Sequence, residues 1–319
     1  MKKAILTLLI MSAAVVSFSQ IHDHIPNSLF DYWDHTPEKK VGGLTYPEYD
    51  IPAPDHFWTS GNPSTRTISY TPPLSKTTDA YEGKYAVLMR SEKFAFGTAA
   101  GALMTGRYAG GLNPDKVIDW GVAWNGRPER FVGYYKYIPV DNDKCRGWIM
   151  FTKYSNGKRD TVGEVHFPAA MESTTVTNYT KFDLPIVYHS TDDPDTIIMS
   201  LTSSFDGNNY NGGIGSSLYI DKLLLLYPGE TSVNYTDKEN AHFWVYPNPA
   251  VSKINFTIDP DFANNSEIII INSSGQKVDT FLTQGEFNEF DIEHYPNGTY
   301  FFEVLHNGNQ VSKGKFQKQ

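Results

Sequence analysis

Residues 130–139 read Arg-Phe-Val-Gly-Tyr-Tyr-Lys-Tyr-Ile-Pro, and this run decides the fold class. Aromatic and β-branched residues dominate it, and these residue types fit a pleated strand. Outward from it, residues 85–90 and 147–154 show the two-residue alternation of a half-buried strand. Further strands are predicted near residues 28–33 and at residues 161–166, 181–188, 196–204 and 216–227.

The last of these segments changes phase partway along. Leu218 and Ile220 share one parity, whereas Leu223, Leu225 and Tyr227 share the other. A β-bulge at Asp221-Lys222 would place all five side chains on the core side. About eight strands at this spacing, with no amphipathic helix between them, predict an all-β fold built on a β-sandwich.

Composition and charge exclude several kinds of partner. The formal net charge of the 319 residues is −9, and no basic stripe is present. These features argue against nucleic acid and against an anionic membrane surface as partners. Cys145 is the only cysteine, so no intrachain disulfide can form.

The N-terminus predicts export. Lys2 and Lys3 precede the apolar residues 4–16, and Ser17-Phe18-Ser19 provides small residues at a cleavage site. This is the pattern of a signal peptide over residues 1–19. No later run reaches 18 apolar residues, so no transmembrane segment is expected.

A polar segment separates two predicted domains. The first is predicted over residues 20–229, the linker over residues 230–243, and a smaller all-β domain over residues 244–319. In the smaller domain, Asn307-Gly308 lies between two alternating runs and predicts a β-hairpin.

The smaller domain resembles a known export signal. Its motifs are Val245-Tyr246-Pro247-Asn248-Pro249-Ala250, Ile271-Asn272-Ser273-Ser274-Gly275-Gln276-Lys277-Val278, Asp291-Ile292, Gly298-Thr299-Tyr300 and Lys313-Gly314-Lys315-Phe316. In order, spacing and terminal position these resemble the type A sorting domain of the type IX secretion system of Bacteroidota. The resemblance implies a small Ig-like sandwich, the type IX machinery as partner, and delivery to the cell surface or the medium.

The middle of the chain, from about residue 28 to 227, also resembles a known family. The motifs are Trp58-Thr59-Ser60-Gly61-Asn62, residues 100–106, residues 124–137 and Gly215-Ser216-Ser217-Leu218-Tyr219-Ile220-Asp221. They are similar to the putative carbohydrate metabolism domain, a jelly-roll family. The resemblance implies handling of sugars and specifies no reaction.

Tryptophans are the first candidates for contact with a sugar. A sugar ring stacks its apolar face on an aromatic ring, while polar neighbours bind its hydroxyls. Trp120 and Trp124 lie in a glycine-rich stretch where rings are easily exposed. In the opposing interpretation, each tryptophan fills the sandwich core. The candidates considered are Trp58, Trp120, Trp124 and Trp148 with Asn62, Asn125, Arg127 and Arg130. The predicted ligand-binding set is Trp120, Trp124, Arg127, Asn125, Trp58 and Asn62.

Carboxylates give a weaker pattern. Glycoside hydrolysis needs two carboxyl groups about 5–10 Å apart, and no spacing here selects a pair, so no catalytic residue is predicted. The available acids are Asp31, Asp34, Glu48, Asp50, Asp55, Asp119, Glu129 and Glu164. The jelly-roll resemblance implies a possible structural calcium that ties the first strand to the last. Asp31 and Asp221 are the predicted ligands; alternatively, both face solvent or bond to backbone.

Three functions follow from these patterns. The favoured hypothesis is a non-catalytic, glycan-binding jelly roll exported by the type IX system. The second is an enzyme acting on polysaccharide, a hydrolase or a lyase. The third is a structural or adhesive surface protein, with buried tryptophans and no groove.

Overall fold

The computed structural model describes residues 24–53, 57–66, 71–95, 97–110, 116, 118–155, 157–230, 243–246, 248–258, 262–285 and 287–319. The predicted signal peptide, Asp55 and most of the predicted linker lie outside these residues. Within them, no helix is both long and apolar enough to cross a bilayer.

Short strands make up most of the described residues between 24 and 230. In chain order they are β1 (Trp33–Thr36), β2 (Lys39–Val41), β3 (Leu44–Tyr46), β4 (Tyr49–Pro52), β5 (Trp58–Ser60), β6 (Leu74–Thr77), β7 (Ala86–Arg90), β8 (Glu92–Phe94), β9 (Gly97–Ala99), β10 (Ala102–Tyr108), β11 (Ile118–Trp120), β12 (Val122–Ala123), β13 (Arg130–Ile138), β14 (Arg146–Ser155), β15 (Lys158–His166), β16 (Val176–Pro185), β17 (Val187–Tyr188), β18 (Thr196–Thr202) and β19 (Ser217–Leu226). The helices described in this region are α1 (Asn62–Thr65), α2 (Ala169–Ser173) and a 3-10 turn at Gly207–Asn209.

Two antiparallel sheets carry the architecture. The smaller sheet has the strand order β16-β13-β19-β7-β6. The larger sheet runs β11-β10-β18-β14-β15-β17, with β12 beside β18 and β5 beside β10. Apolar side chains from both sheets form one continuous core, so the predicted all-β jelly-roll sandwich is confirmed.

The regular strands agree with the alternation in the sequence, but the first predicted strand is wrong. Residues 28–33 were expected to be extended, whereas β1 begins only at Trp33. Asn27 has a positive φ of 51°, and its side-chain amide bonds both backbone groups of Tyr32. Because the Asn27 side chain takes the backbone hydrogen bonds that a neighbouring strand would otherwise make, this segment forms a turn instead of a strand.

Aromatic rings fill the centre of the sandwich. Phe131 of β13 lies 5.0 Å from the ring of Phe182 of β16, and Phe167 lies 5.3 Å from Phe182, both edge to face. From the larger sheet, Phe151 is fully buried in the same core, with its ring near those of Trp124 and Tyr188. Each such burial stabilises the fold by about 1.5–3 kcal/mol relative to exposure.

The predicted bulge in the last strand is confirmed. The register between β13 and β19 shifts between Val132 and Tyr134, and Lys222 takes a positive φ of 50°. The shift leaves Leu218, Ile220, Leu223 and Leu225 together in the core. At the bulge, the N–H of Leu223 donates to the carbonyl of Ser28 at 3.0 Å. The bulge therefore ties the N-terminal segment to the last strand.

The C-terminal residues form their own sandwich. Its strands are β20 (Phe243–Tyr246), β21 (Lys253–Ile258), β22 (Asn264–Asn272), β23 (Lys277–Gln284), β24 (Phe287–Asp291), β25 (Gly298–His306) and β26 (Asn309–Lys318). A three-stranded sheet of order β20-β21-β24 and a four-stranded sheet of order β23-β22-β25-β26 enclose a separate core. The predicted hairpin is present, because Asn307 and Gly308 have the positive φ values, 52° and 79°, that a two-residue turn requires.

Gly101 provides a test of the packing between segments. A Cβ atom there would collide with the Pro73 carbonyl and the Arg90 amide, which are backbone atoms that cannot rotate away. We expect Gly101→Ala to lower the free energy of unfolding by roughly 1–3 kcal/mol. Gly61→Ala is the matched control, since a Cβ there meets nothing within 4 Å. Chemical denaturation of both variants measures the difference, and equal stabilities would contradict the packing account.

Candidate functional site

One surface of the larger sheet points away from the core. Ile149 and Phe151 on β14 are fully buried in the core, so the alternate residues of that strand face outward. Cross-strand pairing places Ser200 and His166 directly beside Trp148. We call this surface the tryptophan face. It comprises Arg146, Trp148 and Met150 on β14, Ile198, Ser200 and Thr202 on β18, Ala102 and Met104 on β10, Ile118 and Trp120 on β11, and Glu164 and His166 on β15.

Two indole rings converge on this face. Trp120 and Trp148 have ring centroids 6.0 Å apart and planes inclined by 31°. Trp120 retains 37% of its accessible surface, and Trp148 is half-buried. Small residues, Gly106 opposite Trp120 and Ser200 opposite Trp148, allow the rings to approach across the intervening strands. The result is an inclined aromatic platform that remains in contact with solvent.

Gly106 makes this arrangement possible. Its φ of +133° is accessible to glycine, and a Cβ atom at this position would collide with the carbonyl of Asp119. The close approach lets β11 pair with the end of β10 and brings Trp120 over the sheet. Beneath it, Met104 and Ile118 form a small apolar cluster outside the main core.

A carboxylate between two imidazoles borders the platform. Glu164 Oε2 lies 3.3 Å from His166 Nε2, and Glu164 Oε1 lies 3.0 Å from His189 Nε2. Hydrogen bonds from His166 and then His189 lower the pKa of Glu164, although burial opposes them. The carboxylate is thus held ionised with both oxygens oriented. Its side chain remains one-third exposed, open to a hydroxyl of a ligand.

A second carboxyl group nearby behaves in the opposite way. Burial raises the pKa of Glu172, while the charges of Arg146, Lys144 and His166 act to lower it. His166 therefore interacts electrostatically with two carboxyl groups whose pKa values move apart.

Most of the predicted ligand-binding residues lie elsewhere. Trp58 is fully buried and packs against Phe30 in the core, and Trp124 is 4% exposed in the same core. Asn62 is also fully buried, with its amide bonded to backbone groups of Asp50 and Leu74. The core placement of these three side chains leaves them no ring face or amide to offer a ligand.

The polar predictions near residue 125 also have structural partners. Arg127 stacks on the ring of Tyr188 at 4.1 Å and donates to the carbonyls of Ser190 and Asp192. It therefore fastens the loop after β17. Asn125 is exposed, and its carbonyl accepts the hydroxyl of Tyr227 at 3.4 Å. Of the predicted set, the tryptophan face contains Trp120 alone.

Several residues of the face were missed by reasoning from the sequence. On the face these are Arg146, His166 and Ser200, and beside it His189 and Glu172, whereas Glu164 was considered only as one acid among many. The sequence feature that could have identified some of them is the alternation of side chains along a strand, because residues two apart point to the same side. Trp148 was a candidate, and Arg146 and Met150 share its side of the strand. Parity alone does not say which side of a strand the second sheet covers.

The structure brings Asp31 and Asp221 to the same short loop. Asp221 is fully buried at the bulge and accepts the N–H groups of Tyr81, Glu82 and Lys222 at 2.7, 3.0 and 2.8 Å. Asp31 accepts the N–H groups of Lys84 and Tyr85 from the same loop. Burial raises the pKa of Asp221 to about 7, and the charge of Asp31 adds to the effect. In the described residues, no group of three or more His, Cys, Asp or Glu side chains has the geometry of a metal site.

Comparison with known proteins assigns both halves of the chain. Residues 30–226 match the putative carbohydrate metabolism domain. The chain belongs to this family. Residues 244–318 match the secretion system C-terminal sorting domain, so the chain is exported to the cell surface or beyond by the type IX system. Both resemblances inferred from the sequence are confirmed.

One solved structure shows the same fold at low identity, and two others are similar to parts of the chain with lower scores. A putative glycoside hydrolase from Bacteroides thetaiotaomicron is 22% identical with a TM-score of 0.50, over 60% of this chain and 70% of that one. A putative glycoside hydrolase from Bacteroides vulgatus is 20% identical with a TM-score of 0.48, over 64% and 97%. A family 22 carbohydrate binding module from Clostridium thermocellum is 14% identical with a TM-score of 0.28, over 55% and 88%. No curated protein matches the chain.

Asp221 predicts an unusual dependence of stability on pH. Between pH 4 and 7 the unfolded chain loses the proton of Asp221, while the folded chain retains it. The folded state therefore binds more protons, and the free energy of unfolding falls as pH rises through this window. We expect a loss on the order of a few kcal/mol by pH 8, measured by urea denaturation in a chelator.

Asp221→Asn tests the assignment of this pH dependence. The variant should flatten the dependence between pH 4 and 8, because the group no longer titrates. Asp193→Asn, at an exposed carboxyl, should leave it unchanged. A wild-type chain whose stability rises from pH 4 to pH 7, or an Asp221→Asn chain with the wild-type slope, would argue against Asp221 as the source.

Proposed function

We propose that the first sandwich binds a polysaccharide on the tryptophan face without cleaving it. The observation that carries this proposal is the pair Trp120 and Trp148, two inclined rings 6.0 Å apart that stay open to solvent. An indole provides an apolar surface for the C–H face of a sugar ring. Exposed aromatic clusters bordered by polar groups mark ligand sites more often than they mark plain surface.

Polar groups around the rings supply partners for sugar hydroxyls. Glu164 presents oriented acceptor oxygens, with His166 and His189 beside it. Ser200 adds a hydroxyl group between the strands, and the Thr202 hydroxyl, which donates to the carbonyl of Ser204 at 3.2 Å, can still accept. A stacked ring with hydrogen-bonding groups at its edge is the arrangement that sugar recognition requires.

Family and export both support this proposal. The putative carbohydrate metabolism domain covers the residues that build the face. The sorting domain sends the protein outside the cell, where polysaccharides are met. The relative from Bacteroides thetaiotaomicron, itself a putative glycoside hydrolase, points to the same class of ligand.

A second candidate function, glycoside hydrolysis, rests on Glu164 and Glu172. Glycosidases use one ionised carboxylate and one carboxyl kept protonated. Hydrogen bonds lower the pKa of Glu164, and burial raises the pKa of Glu172, which matches that division. Each carboxylate oxygen of Glu164 already accepts a hydrogen bond from a histidine, which weakens it as a nucleophile, while its remaining lone pairs can still accept a sugar hydroxyl.

A structural calcium ion is a separate proposal, at Asp31 and Asp221. The residues fit a cation in charge, because neither carboxylate has an ion pair with Lys or Arg in the described structure and one is fully buried. They supply at most four of the six to eight oxygens that calcium takes, so backbone carbonyls or water would complete the set. The ion would neutralise two neighbouring carboxylates and secure the loop that holds them.

Glycan binding is tested with the full-length chain on a polysaccharide array. We expect Trp148→Ala and Trp120→Ala each to weaken binding by roughly tenfold or more, since each removes a stacking surface. Phe301→Ala is the matched control, because Phe301 has the same 37% exposure but lies in the sorting domain. Array binding that survives both tryptophan substitutions would rule out the tryptophan face.

A reducing-sugar assay on the bound polysaccharide separates binding from hydrolysis. The non-catalytic proposal expects no release of reducing ends. Release that disappears in Glu164→Gln and Glu172→Gln would instead establish the hydrolase reading.

Calcium is tested by thermal unfolding at pH 8. We expect calcium in excess over a chelated sample to raise the Tm of the wild-type chain, because an ion bound only to the folded state stabilises it. Asp31→Asn and Asp221→Asn should abolish the increase, whereas Asp193→Asn should retain it. No calcium-dependent shift in the wild type would refute the proposal.

A further inference from the structure

Arg146 differs from every other arginine of the chain. The chain contains seven arginines, all within the described residues. Six donate to a carboxylate, carbonyl or hydroxyl of the protein, whereas Arg146 has no hydrogen bond or ion pair with any described residue. The six pairs are Arg66 with Pro37, Arg90 with Glu92, Arg107 with Asp119, Arg127 with Ser190, Arg130 with Asp183, and Arg159 with Thr152.

The surroundings orient the Arg146 guanidinium but do not accept hydrogen bonds from it in the described structure. Its plane lies over the ring of Phe205, 4.7 Å from the centroid, and Phe205 is itself 49% exposed. Stacking on an aromatic face orients a guanidinium and leaves its N–H groups free at the edge. The side chain is half-buried, and none of its five N–H donors bonds to a residue in the described part of the chain. These donors are available to a ligand.

Arg146 stands beside the aromatic platform. It lies two residues before Trp148 on β14, on the same side of the strand, which separates the two side chains by roughly 7 Å. That distance is about the span from the centre of a sugar ring to a substituent on its neighbour along the chain. Thr202 pairs with Arg146 across the strands and provides a hydroxyl at the same position.

We infer that the tryptophan face selects an acidic polysaccharide, with Arg146 binding the carboxylate or sulfate group of a sugar stacked near Trp148. This inference rests on the proposed glycan-binding function and names its ligand class. A guanidinium matches the geometry of a carboxylate or sulfate with two parallel N–H···O bonds.

The preference for an anionic sugar comes from the charges near Arg146 and not from the net charge of the chain. The whole chain has a formal net charge of −9 and does not attract anionic polymers in general. Lys144, which is exposed, adds a second positive charge near Arg146. Glu172 opposes an anion, but burial raises its pKa and Arg146 forms no ion pair with it. The preference for an anionic sugar therefore depends on Arg146 itself.

Matched pairs of polysaccharides test the inference with the full-length chain. The probes are polygalacturonate and alginate with their carboxyl-reduced forms, and chondroitin sulfate and dextran sulfate with their uncharged or desulfated forms. We expect at least one charged polymer to bind tenfold or more tightly than its neutral form, with affinity that falls as salt rises. Carboxylated and sulfated probes distinguish the two sources of the anion.

Two substitutions assign the preference to Arg146. Arg146→Gln should abolish the preference for the charged polymer, so that the ratio of the affinities for the charged and neutral forms falls to about one. Arg146→Lys should keep part of it, because a point charge remains without the two parallel bonds. Arg130→Gln, at an arginine paired with Asp183 on the other sheet, is the control and should have no effect.

The outcomes separate this inference from the proposed function. If charged and neutral forms bind equally and Trp148→Ala abolishes both, the function stands and the acidic ligand is wrong. If a charged polymer binds preferentially but Arg146→Gln changes nothing, the role of Arg146 is wrong. If no polysaccharide binds on either the array or this panel, both proposals fail.

Discussion

The alternation of side chains on β14 and β18 is the constraint on which the rest of this structure depends. These two strands lie side by side in the middle of the larger sheet. Burying Ile149 and Met199 in the core forces their neighbours Trp148 and Ser200 to the opposite surface. A strand that contributes to the core on one side must therefore display its other residues on the outside. The tryptophan face therefore consists of the outward-facing residues on the strands whose alternate residues form the core.

Close approach of the backbone then shapes that surface. Gly106 lets β11 pair with the end of β10, and without it Trp120 would have no place over the sheet. Ser200 is small enough to leave room between the two indoles. The chain thus obtains an open aromatic surface by placing small residues beneath large ones. Trp58 is in the opposite situation: large neighbours such as Phe30 and Phe57 surround its ring and keep it buried.

Two charged residues, Asp221 and Arg146, have no ion pair with any described residue and lie at the two sites proposed above. Exposed ion pairs such as Arg107 with Asp119 contribute little to stability. Asp221 is different, since it is buried beside Asp31 and only backbone N–H groups compensate it. Arg146 is the complementary case, a cation with unused donors. Asp221 therefore marks the proposed calcium site inside the fold, and Arg146 marks the proposed anion-binding position on the tryptophan face.

The sequence by itself determined the all-β class, the bulge at Asp221-Lys222, the closing hairpin and both family assignments, because these depend on local periodicity, turn chemistry and contiguous motifs. Only the tertiary structure decided which tryptophans are exposed. Trp148 lies in a predicted strand, whereas Trp58 and Trp124 lie in segments where no strand was predicted. The burial of all three depends on the side that the second sheet covers, and no local pattern specifies that. The sequence also did not predict the hydrogen bond of Arg127 to Ser190 or the stacking of Arg146 on Phe205, since in each case the second residue comes from a distant segment. Periodicity is a property of neighbours in the chain, whereas exposure is a property of neighbours in space.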